Sequence, residues 1–208
     1  MTDDIIVSTL KECDAVRFGE FVLASGQKSN FYIDIKKAST NPKALKIIAE
    51  KIAGIVREYA ARNPGKKLII GGVELGGVPI ATAVSLETGL PLLIIRKAVK
   101  DYGTKSRYVG DMDPEAEIIM MEDVTTSGGS VKKAIEAIRA DNGCVNQVIV
   151  IVDRESGATE SLKEIGIDLI PLVRSGMLLK KNDTAEKDPV QKQRRSAETG
   201  RQGRKLCK

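Results

Sequence analysis

The sequence predicts an α/β fold: a central parallel sheet flanked by helices, with a small antiparallel element near the N-terminus. Three observations predict it. Short, near-continuous apolar runs recur along the chain: "KLIIGG", "LPLLIIRK", "AEIIMMED", "NQVIVIVDRE" and "IDLIPLV". Strands of that kind are buried on both faces, as in parallel sheets. Segments with helical spacing of apolar residues stand between them, so strand and helix alternate. Near the N-terminus "EFVLAS" and "NFYIDIK" alternate around the turn "SGQKS", which predicts a separate antiparallel pair.

Each element has its own reason. Ile5, Ile6 and Leu10 suit one face of a first helix, and the acidic start "MTDDIIVSTLKECDAV" is an amphipathic helix rather than a signal peptide. "TNPKALKIIAEKIAGIVREYAAR" reads as a helix capped at Thr40 or Asn41, with Pro42 in its first turn. "KLIIGG" is a buried strand, "GVPIATAVSLETG" a helix stopped at Gly89, and "LPLLIIRK" the next strand. "AEIIMMED" is a strand, "GSVKKAIEAIRADNG" a helix ending at Gly143, and "NQVIVIVDRE" a strand. "ATESLKEIG" is a short helix and "IDLIPLV" the last strand. The connection "AVKDYGTKSRYVGDMDPEA" is long, polar and weak in helical period. Loops of that length in compact domains are usually functional lids or disordered.

Composition narrows the chemistry. The chain has 208 residues, which suits one sizeable domain with an appendage. No apolar run approaches the ~20 residues of a membrane-spanning helix. There is no histidine, which removes Ser-His-Asp and Cys-His machinery and HExxH zinc sites. Cys13, Cys144 and Cys207 are scattered and odd in number, so they form neither a disulfide framework nor a structural zinc site. A cytoplasmic protein is the expectation.

The net charge of +5 has a location. Residues 180–208 hold ten Lys/Arg and four Asp/Glu, whereas residues 1–179 hold 23 and 24. The domain, residues 1–179, is therefore close to neutral, and a nucleic-acid footprint on it is not expected. The tail, residues 180–208, is too polar to bury a core and is predicted disordered.

The stretch "IIMMEDVTTSGGSV", residues 118–131, carries the chemistry. It runs off the C-terminal end of a strand into a helix, at the sheet edge where α/β proteins bind ligands. Gly128 and Gly129 let backbone N–H groups approach an anion, and the helix N-terminus adds its dipole. Thr125, Thr126, Ser127 and Ser130 add hydroxyls. Glu122 and Asp123 repel phosphate, but suit sugar hydroxyls or the hydration shell of a magnesium ion. A phosphorylated sugar is implied. The loop is neither a Walker A loop nor a GxGxxG turn. Taken on its glycines and serines alone it would be a capped strand-to-helix turn; the adjacent acids favour a ligand site.

This stretch resembles the phosphoribosyl-pyrophosphate (PRPP) motif of type I phosphoribosyltransferases. The resemblance implies that fold, with a small N-terminal hood mainly within residues 1–40 and PRPP held by Glu122, Asp123, Val124, Thr125, Thr126, Ser127, Gly128, Gly129 and Ser130. Three further stretches resemble orotate phosphoribosyltransferases: "FVLASGQKSNFYIDIK", the loop "RKAVKDYGTKSRYVG", and "IVDRESG". The resemblance extends over residues 1–179. It implies that Arg96, Lys97 and Lys100 meet pyrophosphate, that Thr126 and Arg154 meet orotate, and that magnesium arrives with PRPP near the two acids rather than on a protein site. Lys100 and Asp123 are the catalytic candidates. It also implies a homodimer in which the lid loop reaches the partner's site. Read without the resemblance, Arg154 is equally suited to the orotate carboxylate or to a surface ion pair with Asp153 or Glu155.

Three positions depart from the family pattern. Tyr102 stands where many bacterial members have histidine, Gly76 where many have lysine, and Ala24 where several have lysine. Two rival functions remain at this level. One is a phosphoribosyltransferase for a purine or uracil. The other is a PRPP-sensing regulator whose basic tail binds nucleic acid.

Overall fold

The structure is a computed structural model that describes residues 3–22, 28–97 and 107–179. Ala24, Lys100, Tyr102 and the tail from residue 180 lie outside the described residues.

The hood comes first. Helix α1 (Asp3–Glu12) buries Ile6 and Leu10. Strands β1 (Val16–Val22) and β2 (Lys28–Ile33) pair antiparallel, from Val16 opposite Ile33 to Val22 opposite Lys28. The second strand stops three residues before the alternation predicts. The Asp34 N–H turns to the Ala15 carbonyl at 2.8 Å, and Ile35 enters the core. A four-residue helix, α2 (Lys36–Ser39), follows; it is too short to carry a periodic signal.

Helix α3 (Pro42–Arg62) starts where its sequence says. The Asn41 side chain accepts from the Ala44 N–H at 3.1 Å, and Pro42 opens the first turn. Strand β3 (Leu68–Val73) is wholly buried. Helix α4 (Gly77–Thr88) ends at Gly89, left-handed at φ 73°. Strand β4 (Leu92–Ile95) leads into the long connection. Within that connection lies a two-residue strand, β5 (Tyr108–Val109), antiparallel to β4 through Ile94 and Ile95. Sequence reading has no handle on two residues whose strand character comes from the neighbour they pair with.

Strand β6 (Glu117–Thr125), helix α5 (Gly129–Ala140), strand β7 (Cys144–Asp153), helix α6 (Ala158–Lys163), strand β8 (Asp168–Arg174) and helix α7 (Ser175–Leu179) complete the chain. The six strands lie in the order β5-β4-β3-β6-β7-β8, parallel except for β5. The chain moves outward from β3 to β4, then crosses back to place β6 on the other side of β3. The β3/β6 boundary is therefore the topological switch point, where the strand ends splay and a crevice opens.

The sheet has a core on each face. Ile119 and Met121 of β6 face α3 and α4 through Ile48, Ile52, Ile80 and Val84. Ile118 and Met120 face α5 through Val131, Ile135 and Ile138. Period-two alternation thus feeds both cores from one strand. The N-terminal end of β6 is pinned as well. Glu117 is buried, and its carboxylate accepts from the Tyr59 hydroxyl at 2.9 and 3.0 Å and from the Lys66 ammonium at 2.5 Å. Among the described residues no helix is long and apolar enough to cross a membrane.

Candidate active site

Burial along β6 changes where the chemistry begins. Residues 117–121 are buried, and Glu122, Asp123 and Val124 are half-buried as the strand leaves the sheet. Thr125 is buried again. Its hydroxyl faces the Asp153 carboxylate at 3.5 Å, and its carbonyl accepts from the Arg154 N–H at 3.0 Å. These bonds hold the ends of β6 and β7 together. Thr126 and Ser127 are exposed, and Gly128 turns left-handed at φ 77° to start α5. No side chain caps this helix, so its first N–H groups stay open to a ligand. A cavity of about 260 Å³ lies over the turn, lined by Lys97 and residues 122–131.

The two acids differ. The Val124 N–H donates to Asp123 Oδ1 at 2.9 Å, and the Asp123 N–H donates to Glu122 Oε1 at 3.3 Å. Burial pushes the Glu122 carboxyl up to about 8, helped by the hydrogen bond and charge of Asp123; the Lys97 charge opposes the shift. Among the described residues no group of three or more acid or cysteine side chains is placed to hold a metal by itself. Two adjacent acids do fit hydroxyl donors, or a cation brought by the ligand.

The β3–α4 loop lies beside Asp123. The Glu74–Leu75 peptide is cis. Gly76 lies against Asp123 so closely that a Cβ there would overlap the carboxylate. Glycine leaves that space to Asp123, at a position where many bacterial members of the resembled family have lysine. Glu74 is the residue that sequence reading passes over. Its Oε1 accepts from the Lys97 N–H at 2.6 Å, and its own N–H donates to the Ile95 carbonyl at 2.9 Å. "VELGGVP" shows backbone donors for an anion, but no local signal links Glu74 to a backbone 23 residues on.

The other candidates fall as follows. Lys97 is on the cavity wall. Arg96 is half-buried just before it, its N–H bonded to the Arg107 carbonyl at 2.9 Å. Arg154 is half-buried at the end of β7, its guanidinium 5.7 Å from the centre of the Phe31 ring of the hood. Glu155 accepts instead from the Ser175 hydroxyl at 3.0 Å and the Gly176 N–H at 2.8 Å, bonds that depress its carboxyl. Asp153 accepts from the Glu155 N–H at 2.9 Å. Among the described residues no ion pair joins Arg154 to either acid. Lys100 lies outside the described residues.

An acid-tipped strand, an open helix N-terminus and a switch-point crevice have the chemistry that suits a phosphorylated sugar. Residues 35–169 match the phosphoribosyl transferase domain family, which sets the class. An orotate phosphoribosyltransferase of Methanosarcina acetivorans is 59% identical over 175 residues, 84% of this chain and 90% of that one. One from Methanococcus maripaludis is 52% identical over 81% of this chain and 89% of that one. The crystal structure of orotate phosphoribosyltransferase from Aeropyrum pernix superposes with a TM-score of 0.69 at 30% identity, over 84% of this chain and 96% of that one. The chain belongs to the orotate phosphoribosyltransferase family.

Proposed function

We propose that this protein transfers the 5-phosphoribosyl group of PRPP to N1 of orotate. The C1–pyrophosphate bond breaks, the N1–C1 bond forms, and orotidine 5'-monophosphate and pyrophosphate leave, as in the making of UMP. The observation that carries the reading is the β6–α5 turn, where two acids and an uncapped helix N-terminus line one cavity. The family membership supports orotate as the base.

Each residue then has a task. Val124, Thr125, Thr126, Ser127, Gly128, Gly129 and Ser130 hold the 5'-phosphate, Thr125 through its backbone because its hydroxyl faces Asp153. Glu122 and Asp123 accept from the ribose hydroxyls. Thr126 and Arg154 recognise orotate, Arg154 offering a planar fork to the carboxylate. As the ribose gains oxocarbenium character, charge builds on the departing pyrophosphate. Arg96, Lys97 and Lys100 stabilise that charge more in the transition state than in the ground state. Magnesium bound to PRPP beside Glu122 and Asp123 supplies further charge neutralisation.

The domain in this reading is residues 1–179, and the basic tail, residues 180–208, stands outside the catalytic unit. The enzyme acts in the cytoplasm as a homodimer, with Lys100 delivered to the partner's site; this rests on the family resemblance of the loop. The test mixes protein, PRPP, magnesium and orotate and follows orotate absorbance together with pyrophosphate release. Adenine, hypoxanthine and uracil are run in parallel. Both signals are expected with orotate alone. Turnover of a purine or uracil without orotate would overturn the assignment.

A further inference from the structure

Glu74 has no part in the reactions above, yet its loop touches two residues that line the cavity. Strands β3 and β4 run in register to Val73 opposite Ile95. The Glu74 N–H continues the pairing to the Ile95 carbonyl. The pairing is then extended by a side chain, because Glu74 Oε1 takes the Lys97 N–H at 2.6 Å. Two residues along, Gly76 packs on the Asp123 carboxylate. The same short loop therefore touches Lys97 and Asp123, both of which line the cavity.

A carboxylate at the rim of an anion site is unfavourable unless something uses it. Here it accepts a hydrogen bond from the residue whose ammonium the site needs. Without that acceptor, the Lys97 N–H loses its partner at the point where the backbone leaves the sheet, and the side chain loses a fixed origin. We propose that Glu74 is a positioning residue: it holds the Lys97 backbone so that the ammonium meets the pyrophosphate end of PRPP. This rests on the function proposed above. It is also how a chain with glycine at position 76 keeps a cation beside the cavity.

The test is steady-state kinetics on the full chain with Glu74→Ala, Glu74→Asp, Glu74→Gln, Lys97→Ala and the Glu74→Ala/Lys97→Ala double variant, with melting curves in parallel. A hydrogen bond to a charged group supports a loss of about tenfold or more in kcat/KM for PRPP in Glu74→Ala. Glu74→Asp, one methylene too short to reach, should match it despite its charge. Glu74→Gln keeps an acceptor oxygen and should recover most of the loss. KM for orotate should stay put in all three. In the Lys97→Ala background, Glu74→Ala should add less than about twofold, because coupled groups are not additive. The assignment is overturned by wild-type kinetics in both Glu74→Ala and Glu74→Asp, by a Glu74→Gln as impaired as Glu74→Ala, or by an undiminished Glu74→Ala effect without the Lys97 side chain. A wild-type chain that leaves orotate untouched would instead overturn the proposed function.

Discussion

A Cβ at position 76 would occupy the space of the Asp123 carboxylate, so this glycine is a condition for the acid's position. Gly76→Ala should push Asp123 aside and weaken its bonds to the ribose hydroxyls. Hydrogen bonds to charged groups predict a rise of about tenfold in KM for PRPP, read by steady-state kinetics. Gly76→Lys adds a cation at the same cost in position and should not bind PRPP more tightly than wild type; tighter binding would show that charge outweighs the overlap. Glu122 makes a second case. Its carboxyl titrates near 8 in the folded protein, against the ordinary 4.5. Between those values the folded state holds a proton that the unfolded chain has released. Stability from this group is therefore complete below pH 4.5 and is lost as pH rises toward 8. Urea titrations across that range should show falling stability, and Glu122→Gln should flatten the slope. A slope unchanged by the substitution would assign the proton to another group.

At the scale of elements, helix α3 and strand β6 do the positioning. Helix α3 buries Ala44, Ile48, Ala49, Ile52, Ala53 and Val56, the i, i+4 stripe that its sequence presents. Its cap is the Asn41 side chain on the Ala44 N–H. Asn41→Ala should cost about 1 kcal/mol of stability by urea denaturation, with KM for PRPP unchanged, because the cap lies away from the cavity. A changed KM would tie this helix end to the site. These elements were legible because each carries its signal locally: a cap, a proline, a stripe, a left-handed glycine. The elements that were not, α2, β5 and α7, are four, two and five residues long. The stability of the first two comes from Ile35 entering the core and from pairing with Ile94 and Ile95, which no local pattern encodes.

At the scale of the molecule, the site depends on strand order. Crossing from β4 back to β6 brings the Glu74–Gly76 loop against Asp123, beside the phosphate turn. The proposed dimer would add a loop from another chain. A Lys100→Ala chain mixed with an Asp123→Ala chain tests this. Each parent lacks one part, but a heterodimer pairs one intact loop with one intact acid. Activity should return to a fraction of wild type, and its absence in a mixture proven to exchange subunits would remove the shared site.

The sequence by itself determined the fold class, most of the element list and the turn from Glu122 to Ser130. Those features rest on spacing along one segment: apolar runs, alternating helices, and acids followed by hydroxyls and glycines. Only the tertiary structure decided what faces that turn. The Glu74 bond to Lys97, the packing of Gly76 on Asp123 and the Phe31 ring beside Arg154 join residues far apart in the chain. Their partners are chosen by strand order and by the docking of the hood, and neither leaves a trace in local periodicity.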